Sequence, residues 1–336
     1  MNGPNPTAGR SSAPPRETVP VPTGTRDVLP EEMAELREIS ARVAGVFTDA
    51  GYGEVSTPSL EFEETVRIAA PDYLDNVYRV PDADGRPLVL RFDSTVPIAR
   101  LAATRYREAD PPLRFFYLQH VYRPVEPKRA QSRQFLQIGM ELLGEAAPQG
   151  DAEAIELLAR VLEAAGLTDF RIAVGDVGFF TGRLEAAGLA EDDPARNSIL
   201  HELQSRDLVG LRRELDRANA INDGDRGRLA DVAAARGGRE LLEREGASHL
   251  LALDDRLRGA GIEDRVIYDL GLVRQLSYYT GTVLEVYAPH SGFPLGGGGR
   301  YDDLVGCFGR DLTAFGFALN MERLHLAALA ELEGAR

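Results

Sequence analysis

Apolar residues recur at helical spacing from Glu31 to Ala50, at Met33, Leu36, Ile39, Val43, Val46 and Phe47, and Gly51-Tyr52-Gly53 breaks the rhythm. A turn over Thr23 to Pro30 precedes this predicted helix. Glu54 to Leu60 alternates as a strand does, and Pro58 assigns it to an edge or interface, where a missing N–H is tolerated. Val77–Val80 and Leu88–Arg91 flank the turn residues Pro81 to Pro87 and read together as a hairpin. Arg91 to Pro97 leads into a helix that ends by Arg107. Leu113–Tyr122 and Arg133–Leu143 read as buried partner strands joined by the loop 123–132. Asp151 to Ala165 carries apolar residues at Ala154, Leu157, Leu158, Val161 and Leu162 on a helical period, and Phe170–Val174 is a strand.

From Phe179 to Ile262 the text becomes rich in Leu, Ala, Arg, Glu and Asp and loses all strand-like alternation, as expected for an inserted helical subdomain. Strand signals resume at Val266–Leu270, and Leu272 to Tyr287 reads as a strand or strand pair with Val283, Glu285 and Tyr287 on one face. The last helix runs from about Asn320 to Leu332. The expected division is a tail over 1–16, a core over 17–178 and 263–336, and a helical insert over 179–262. The tail is rich in Pro, Ser, Gly and Asn and lacks the apolar core of a targeting peptide, so it is expected to be disordered.

Composition narrows the functional classes. At 336 residues, with 43% hydrophobic and 27% charged residues, the chain is ordinary for a soluble globular protein. No apolar run approaches the roughly 18 residues of a membrane span, and a cytoplasmic location is expected. A net charge of -15 opposes nucleic-acid binding, which draws its affinity from Lys and Arg. Arg123, Lys128, Arg129 and Arg133 form the one dense basic group of the first half, and such a run also suits a solvated loop. The single cysteine, Cys307, excludes an internal disulfide and a multi-cysteine zinc cage and is expected to be a small buried or half-buried apolar residue. None of His120, His201, His249, His290 and His325 makes a metal-ligand pair by spacing, so neither a metal nor a cofactor is expected. Asp223 to Arg228 lacks the acidic spacing of a calcium loop and reads as a solvated turn.

Chemistry-bearing residues concentrate in two stretches. Leu272-Val-Arg-Gln-Leu-Ser-Tyr-Tyr-Thr-Gly-Thr-Val-Leu-Glu285 combines Arg274 with the tyrosine pair Tyr278 and Tyr279, an inventory suited to a small aromatic polar ligand. In the strand 133–143 the period of two puts Phe135, Gln137, Gly139 and Glu141 on one face. Polar residues on a strand more often face solvent, yet beside the tyrosine pair an amide and a carboxylate suit an α-amino group and an imidazole N–H.

The stretch 272–285 resembles the histidine-recognition signature of histidyl-tRNA synthetases, with Gln275 where that family has glycine and Ser277 where it has aspartate. The similarity runs from about Val21 to Leu326. Gly51 to Glu61 looks like motif 1, which in the family helps build the dimer interface. Tyr122 to Glu141 resembles motif 2 of class II aminoacyl-tRNA synthetases, Gly316 to Leu324 resembles motif 3 with Asn320 replacing glycine, and Gly296-Gly-Gly-Gly-Arg-Tyr-Asp-Asp303 resembles the second histidine-specific motif. Alone, that glycine run is a weak loop signal and no phosphate-binding P-loop. The resemblance implies an α+β fold in which an antiparallel sheet is flanked by helices and carries a helical insert. It also implies a histidine pocket made of Asp93 (glutamate in the synthetases), Thr95, Gln137, Glu141, Tyr278, Tyr279 and Tyr301.

The nucleotide side departs from the pattern. Arg123 and Arg323 match arginines that contact ATP, and Arg274 matches one associated with activation, so a residual anion site at these three is expected. Val125 replaces the glutamate that contacts adenine, and Gln131 replaces a phosphate-contacting arginine. Phosphoryl chemistry depends on preorganised positive charge, and losing one such stabiliser costs on the order of several kcal/mol. Each substitution alone is compatible with drift; together with Gln275, Ser277 and Asn320 they argue that activation has been abandoned. The synthetases continue past motif 3 into an anticodon-binding domain, whereas this sequence ends at Arg336, and tRNA recognition is not expected. The combination resembles the ATP phosphoribosyltransferase regulatory subunit family, catalytically inactive synthetase paralogues. That resemblance implies a short catalytic subunit as partner, histidine as effector and a homodimer within a hetero-oligomer. The alternative is a minimal histidyl-tRNA synthetase without its anticodon-binding domain.

Overall fold

The computed structural model describes residues 20–124, 132–274, 278–289 and 291–334. The tail 1–16, Val125, Lys128, Arg129, Gln131, Gln275, Ser277 and His290, all singled out above, lie outside the described residues.

Helix α1 (Pro30–Asp49) opens with proline in its first turn, followed by Glu31 and Glu32, which favour the positive end of the helix dipole. Its buried stripe is Leu36, Ile39, Val43 and Phe47, each such side chain stabilising by about 1.5–3 kcal/mol on burial. The helix stops at Gly51, whose φ of +82° turns its N–H back to Thr48. Strand β1 (Gly53–Glu54) follows, then β2 (Leu60–Phe62), α2 (Glu63–Ala69), β3 (Arg79–Pro81), β4 (Pro87–Leu90) and α3 (Thr95–Arg105). The long strands β5 (Leu113–Tyr122) and β6 (Gln134–Leu143) come next, with α4 (Gln149–Ala164) and β7 (Arg171–Asp176) after them.

The helical insert contains α5 (Val177–Ala186), α6 (Pro194–Gln204), α7 (Leu208–Arg217), α8 (Asp223–Ala234), β8 (Arg236–Gly237), α9 (Arg239–Glu245) and α10 (Ser248–Gly259). The chain closes with β9 (Val266–Asp269), β10 (Thr282–Tyr287), β11 (Gly296–Arg300), β12 (Ala314–Asn320) and α11 (Met321–Gly334).

Nine strands form one sheet in the order β1-β5-β6-β12-β11-β10-β7-β9-β8, and β2-β4-β3 form a small antiparallel one. From β5 to β7 every pairing in the large sheet is antiparallel. Alternation divides its two faces. Ile138, Met140 and Leu142 of β6 join Phe315, Phe317 and Leu319 of β12 in a core with the stripes of α1 and α4. Phe115, Tyr117 and Leu143 point the other way and pack with α3. The insert shares the first core, because Leu203, Leu211, Leu215, Leu250 and Leu253 are continuous with it.

Several expectations are corrected. Residues 55–59 are not strand: Arg91 fills their place with donors, giving Nη1 to the Thr57 carbonyl at 2.5 Å and Nε to the His120 carbonyl at 2.7 Å. Buried carbonyls are thus satisfied without a ladder. Tyr278 and Tyr279 belong to no strand and sit in the segment before β10. The glycine run is strand β11 at the middle of the sheet, not a loop. Asp223 to Arg228 is the first turn of α8, capped by Asn222 Oδ1, which accepts from the Asp225 N–H at 3.0 Å. The insert, expected to lack strands, adds β8 to the sheet edge. Cys307 is exposed rather than buried.

Candidate functional site

A cleft of about 1820 Å3 opens over the sheet, reaching from Asp93 and Thr95 at the start of α3 to Glu31, Glu32 and Glu35 at the start of α1. Its floor is made by sequence rather than by a gap in the fold. Gly316 pairs with Glu141 and with Gly299, and Gly297 pairs with Glu285 and Ala318, so glycines or alanine stand where side chains would fill the space. A Cβ on Gly297 would collide with the Arg274 guanidinium, and one on Gly316 with the Glu141 carboxylate. At Gly296 and Gly298 the obstacles are the backbone carbonyls of Ala318 and Gly316. Glycine is therefore imposed by close strand and side-chain approach, which explains why β-unfavourable residues occupy a central strand.

Asp93, Thr95, Gln137, Tyr278, Tyr279 and Tyr301 line this cleft together, as do Arg123, Arg274 and Arg323. Glu141 does not line it. The residue is 1% exposed and lies beneath, with Thr95 Oγ1 donating to its Oε1 at 2.8 Å and the Tyr301 hydroxyl donating to Oε2. Burial pushes the Glu141 carboxyl up to about 8 against those two donated bonds, and Asp93 adds to the rise. Glu141 therefore holds its proton more tightly than an ordinary carboxyl. Asp93, also buried, is raised by desolvation, while nearby Arg123, the Val96 N–H and the Tyr278 hydroxyl favour its charged form. The Tyr278 hydroxyl donates to Asp93 Oδ2 at 3.1 Å.

The tyrosines form one wall, with Tyr278 and Tyr279 ring centroids 4.9 Å apart and Tyr278 edge-on to Tyr301 at 5.8 Å. Such packing fixes an aromatic slot at low entropic cost. Gln137 Oε1, the Tyr117 hydroxyl and Arg274 Nε are among the polar atoms of this region buried without a hydrogen-bond partner among the described residues. Orphaned polar atoms beside a cleft are an unmet demand for donors or acceptors.

Arginines form the other wall. Arg274 Nη1 donates to the Leu284 carbonyl at 3.1 Å and stands 3.5 Å from Glu285 Oε1. Arg123 Nε donates to the Phe92 carbonyl at 2.9 Å and lies over Phe135, and Arg323 donates to the Pro294 carbonyl at 2.8 Å and lies over Phe293. Neither Arg123 nor Arg323 has a carboxylate within ion-pair distance among the described residues. Burial lowers the Arg323 guanidinium, and Arg123 lowers it further. Asn320, where the related synthetase motif has glycine, caps α11 by accepting from the Arg323 N–H at 2.9 Å.

Sequence reading put Glu285 on a pocket-lining face without naming it a ligand contact, and it did not single out Tyr117, which lies beneath the cleft. The alternation of β5 puts Tyr117 on the Phe115 face, directly opposite Gly139, and Glu285 follows the same period two residues after Val283. Arg196, Asn197 and Gln204 of α6 also reach the cleft, and no local signal in the insert foretold them. Of the histidines, His249 Nε2 meets Thr282 Oγ1 at 3.1 Å and His325 Nε2 meets Glu35 at 2.7 Å.

An antiparallel six-strand core with a glycine floor, and a buried amide and carboxyl beside a group of tyrosines, define a class II synthetase-like fold. The family model described as histidyl-tRNA synthetase matches residues 24–324. An ATP phosphoribosyltransferase regulatory subunit of Symbiobacterium thermophilum is 41% identical, covering 94% of this chain and 81% of that protein. One from Moorella thermoacetica is 40% identical over 91% and 81% of the two chains. A Bacillus halodurans structure described as an ATP phosphoribosyltransferase regulatory subunit/histidyl-tRNA synthetase superposes with a TM-score of 0.86 at 32% identity, covering 94% of this chain and 84% of that one. This chain belongs to the family of ATP phosphoribosyltransferase regulatory subunits, within the histidyl-tRNA synthetase-like proteins.

Proposed function

We propose that this chain is the non-catalytic regulatory subunit of an ATP phosphoribosyltransferase. It joins a short catalytic subunit, switches on the first step of histidine biosynthesis, and makes that step responsive to free histidine. In this reading a homodimer of the chain sits within the hetero-oligomer.

The observation that carries the ligand is the unpartnered Gln137 Oε1 in a cleft backed by two buried acidic groups, Asp93 and Glu141. Such a site favours a small guest rich in N–H donors. Asp93, Thr95 and Gln137 take the ammonium group, while Tyr278, Tyr279 and Tyr301 enclose the imidazole, with Glu141 acting from beneath through Tyr301 and Thr95. Arg123, Arg274 and Arg323 offer a place for an anion beside it. Histidine regulates by binding one state of the assembly better than another, a coupling of about 1–3 kcal/mol in typical systems.

Retention of those three arginines at the cleft also favours a second reading, a minimal histidyl-tRNA synthetase. Co-expression with a short phosphoribosyltransferase separates the two. The regulatory reading expects co-purification, transferase activity that needs this chain, and loss of that activity on adding histidine. Histidine-dependent pyrophosphate exchange by the chain alone at enzyme-like rates, with no effect on the transferase, overturns it.

A further inference from the structure

The turn after α6 joins the helical insert to the pocket wall through one side chain. Arg206 has φ 59°, the left-handed region, and among the described residues it is the one non-glycine there. The position closes α6, with Arg206 N–H bonded to the Leu203 carbonyl and Asp207 N–H to the Glu202 carbonyl, a place where glycine avoids the backbone cost. A cap needs no guanidinium.

The guanidinium is forked between two carboxylates. Nη1 donates to Asp269 Oδ2 at 2.6 Å, and Asp269 is only 2% exposed and also receives Arg236 Nε at 2.9 Å. Nη2 donates to Glu285 Oε2 at 3.2 Å, the oxygen that also receives the Tyr287 hydroxyl at 2.5 Å. The second oxygen of Glu285 faces Arg274 at 3.5 Å, and Arg274 and Glu285 both line the cleft, as do Gln204 and Ser205 at the end of α6. One carboxylate is thus shared between an arginine of the pocket and an arginine of the insert.

We propose that Arg206 is the positioning residue that couples occupancy of the amino-acid pocket to the helical insert, because it shares the Glu285 carboxylate with Arg274, Arg206 holding Oε2 while Arg274 faces Oε1. The idea rests on the ligand reading above. An anionic group of a bound guest draws Arg274 off Glu285, and the carboxylate then belongs to Arg206 and Tyr287. Its prong on Asp269 stays fixed, so the α6–α7 corner is held more firmly when the pocket is full. A ligand without a negative group leaves Glu285 shared and does not tighten the corner.

Hydrogen–deuterium exchange on the full chain, with and without saturating histidine, tests this alongside calorimetry on the same samples. The expected result is exchange slowed at least threefold over 196–215 on adding histidine, and an unchanged rate on adding histidinol, which lacks the carboxylate. Arg206→Gly relieves the backbone and removes the fork; it binds histidine with similar affinity but loses the slowing over 196–215. Arg206→Lys, which keeps the charge without the fork, restores less than half of it. An equal response in Arg206→Gly and the native chain overturns the proposal, as does histidine binding in the native chain with no change over 196–215. No histidine binding by calorimetry overturns the ligand reading itself, and this coupling with it.

Discussion

The Thr95 hydroxyl donates to Glu141 Oε1 across 2.8 Å, tying the first residue of α3 to the last third of β6. The bond matters because Glu141 is almost wholly buried, and its hydrogen-bond partners are two hydroxyls with no cation among them. A carboxyl in that setting keeps its proton well into the neutral range.

The pH dependence of stability follows with a definite sign. The Glu141 carboxyl stands at about 8 in the folded chain against an ordinary value of 4.5. Its contribution is fully present below pH 4.5 and is lost as pH rises through 8, because the unfolded chain sheds the proton first. Glu141→Gln removes that loss. Thermal melts at pH 8.5 should show the variant more stable by on the order of a few kcal/mol, with little difference near pH 4.5. An equal effect at both pH values contradicts the burial argument.

Ligand binding should release a proton. A guest that donates N–H groups toward Thr95 and Tyr301 favours the ionised form of Glu141. At pH 7 the heat of histidine binding should therefore vary with the ionisation enthalpy of the buffer, with a slope approaching one proton released. A slope of zero means that Glu141 does not change its charge.

Adding a methyl group to a glycine of α1 and to glycines of the central strands should have opposite effects on stability. A Cβ added to Gly45 on α1 would find nothing within 4 Å, so Gly45→Ala should stabilise by about 0.5–1 kcal/mol through helix propensity. Gly298→Ala drives a Cβ into the Gly316 carbonyl and should destabilise by about 1–3 kcal/mol. Gly316→Ala meets the Glu141 carboxylate, and it should abolish histidine binding as well. Urea denaturation and calorimetry read both effects.

Much of this is legible in the sequence, and the failures have physical causes. Strands β5 and β6 are readable because each is a run of ten residues rich in apolar and aromatic side chains, mostly buried on both faces, and the strand period of two puts Gln137 and Glu141 on one side. The chemistry of 296–300 is not readable as a strand, since glycine carries no β-propensity and the reason for it lies across the ladder in β12 and Arg274. Residues 55–59 resemble a strand because alternation is blind to Arg91, a side chain far along the chain that takes their carbonyls. The period of two puts Glu141 on the same side of β6 as Gln137, whereas its depth below the cleft floor is a property of packing that no single strand encodes. Arg206 and Glu285 lie 79 residues apart in sequence, and no local pattern marks such a pair.

A buried pair next to the site should be costly to break. Arg300 and Asp151, 3% and 0% exposed, are joined by Arg300 Nε at 2.8 Å, and Thr282 donates to Asp151 at 2.6 Å. Arg300→Met leaves the buried carboxylate with only the half-buried His249, 3.6 Å away, facing it and should cost about 3–5 kcal/mol in urea denaturation. Arg300→Met with Asp151→Leu should recover at least half of that loss, because an uncompensated buried charge is the larger part of the cost.

Titration calorimetry of histidine into the native chain, Tyr279→Phe and Glu141→Ala tests the central claim most directly. One site per chain is expected in the native protein, with affinity reduced at least tenfold in Glu141→Ala and measurably in Tyr279→Phe. Undiminished affinity in both variants, or no heat of binding in the native chain, contradicts it.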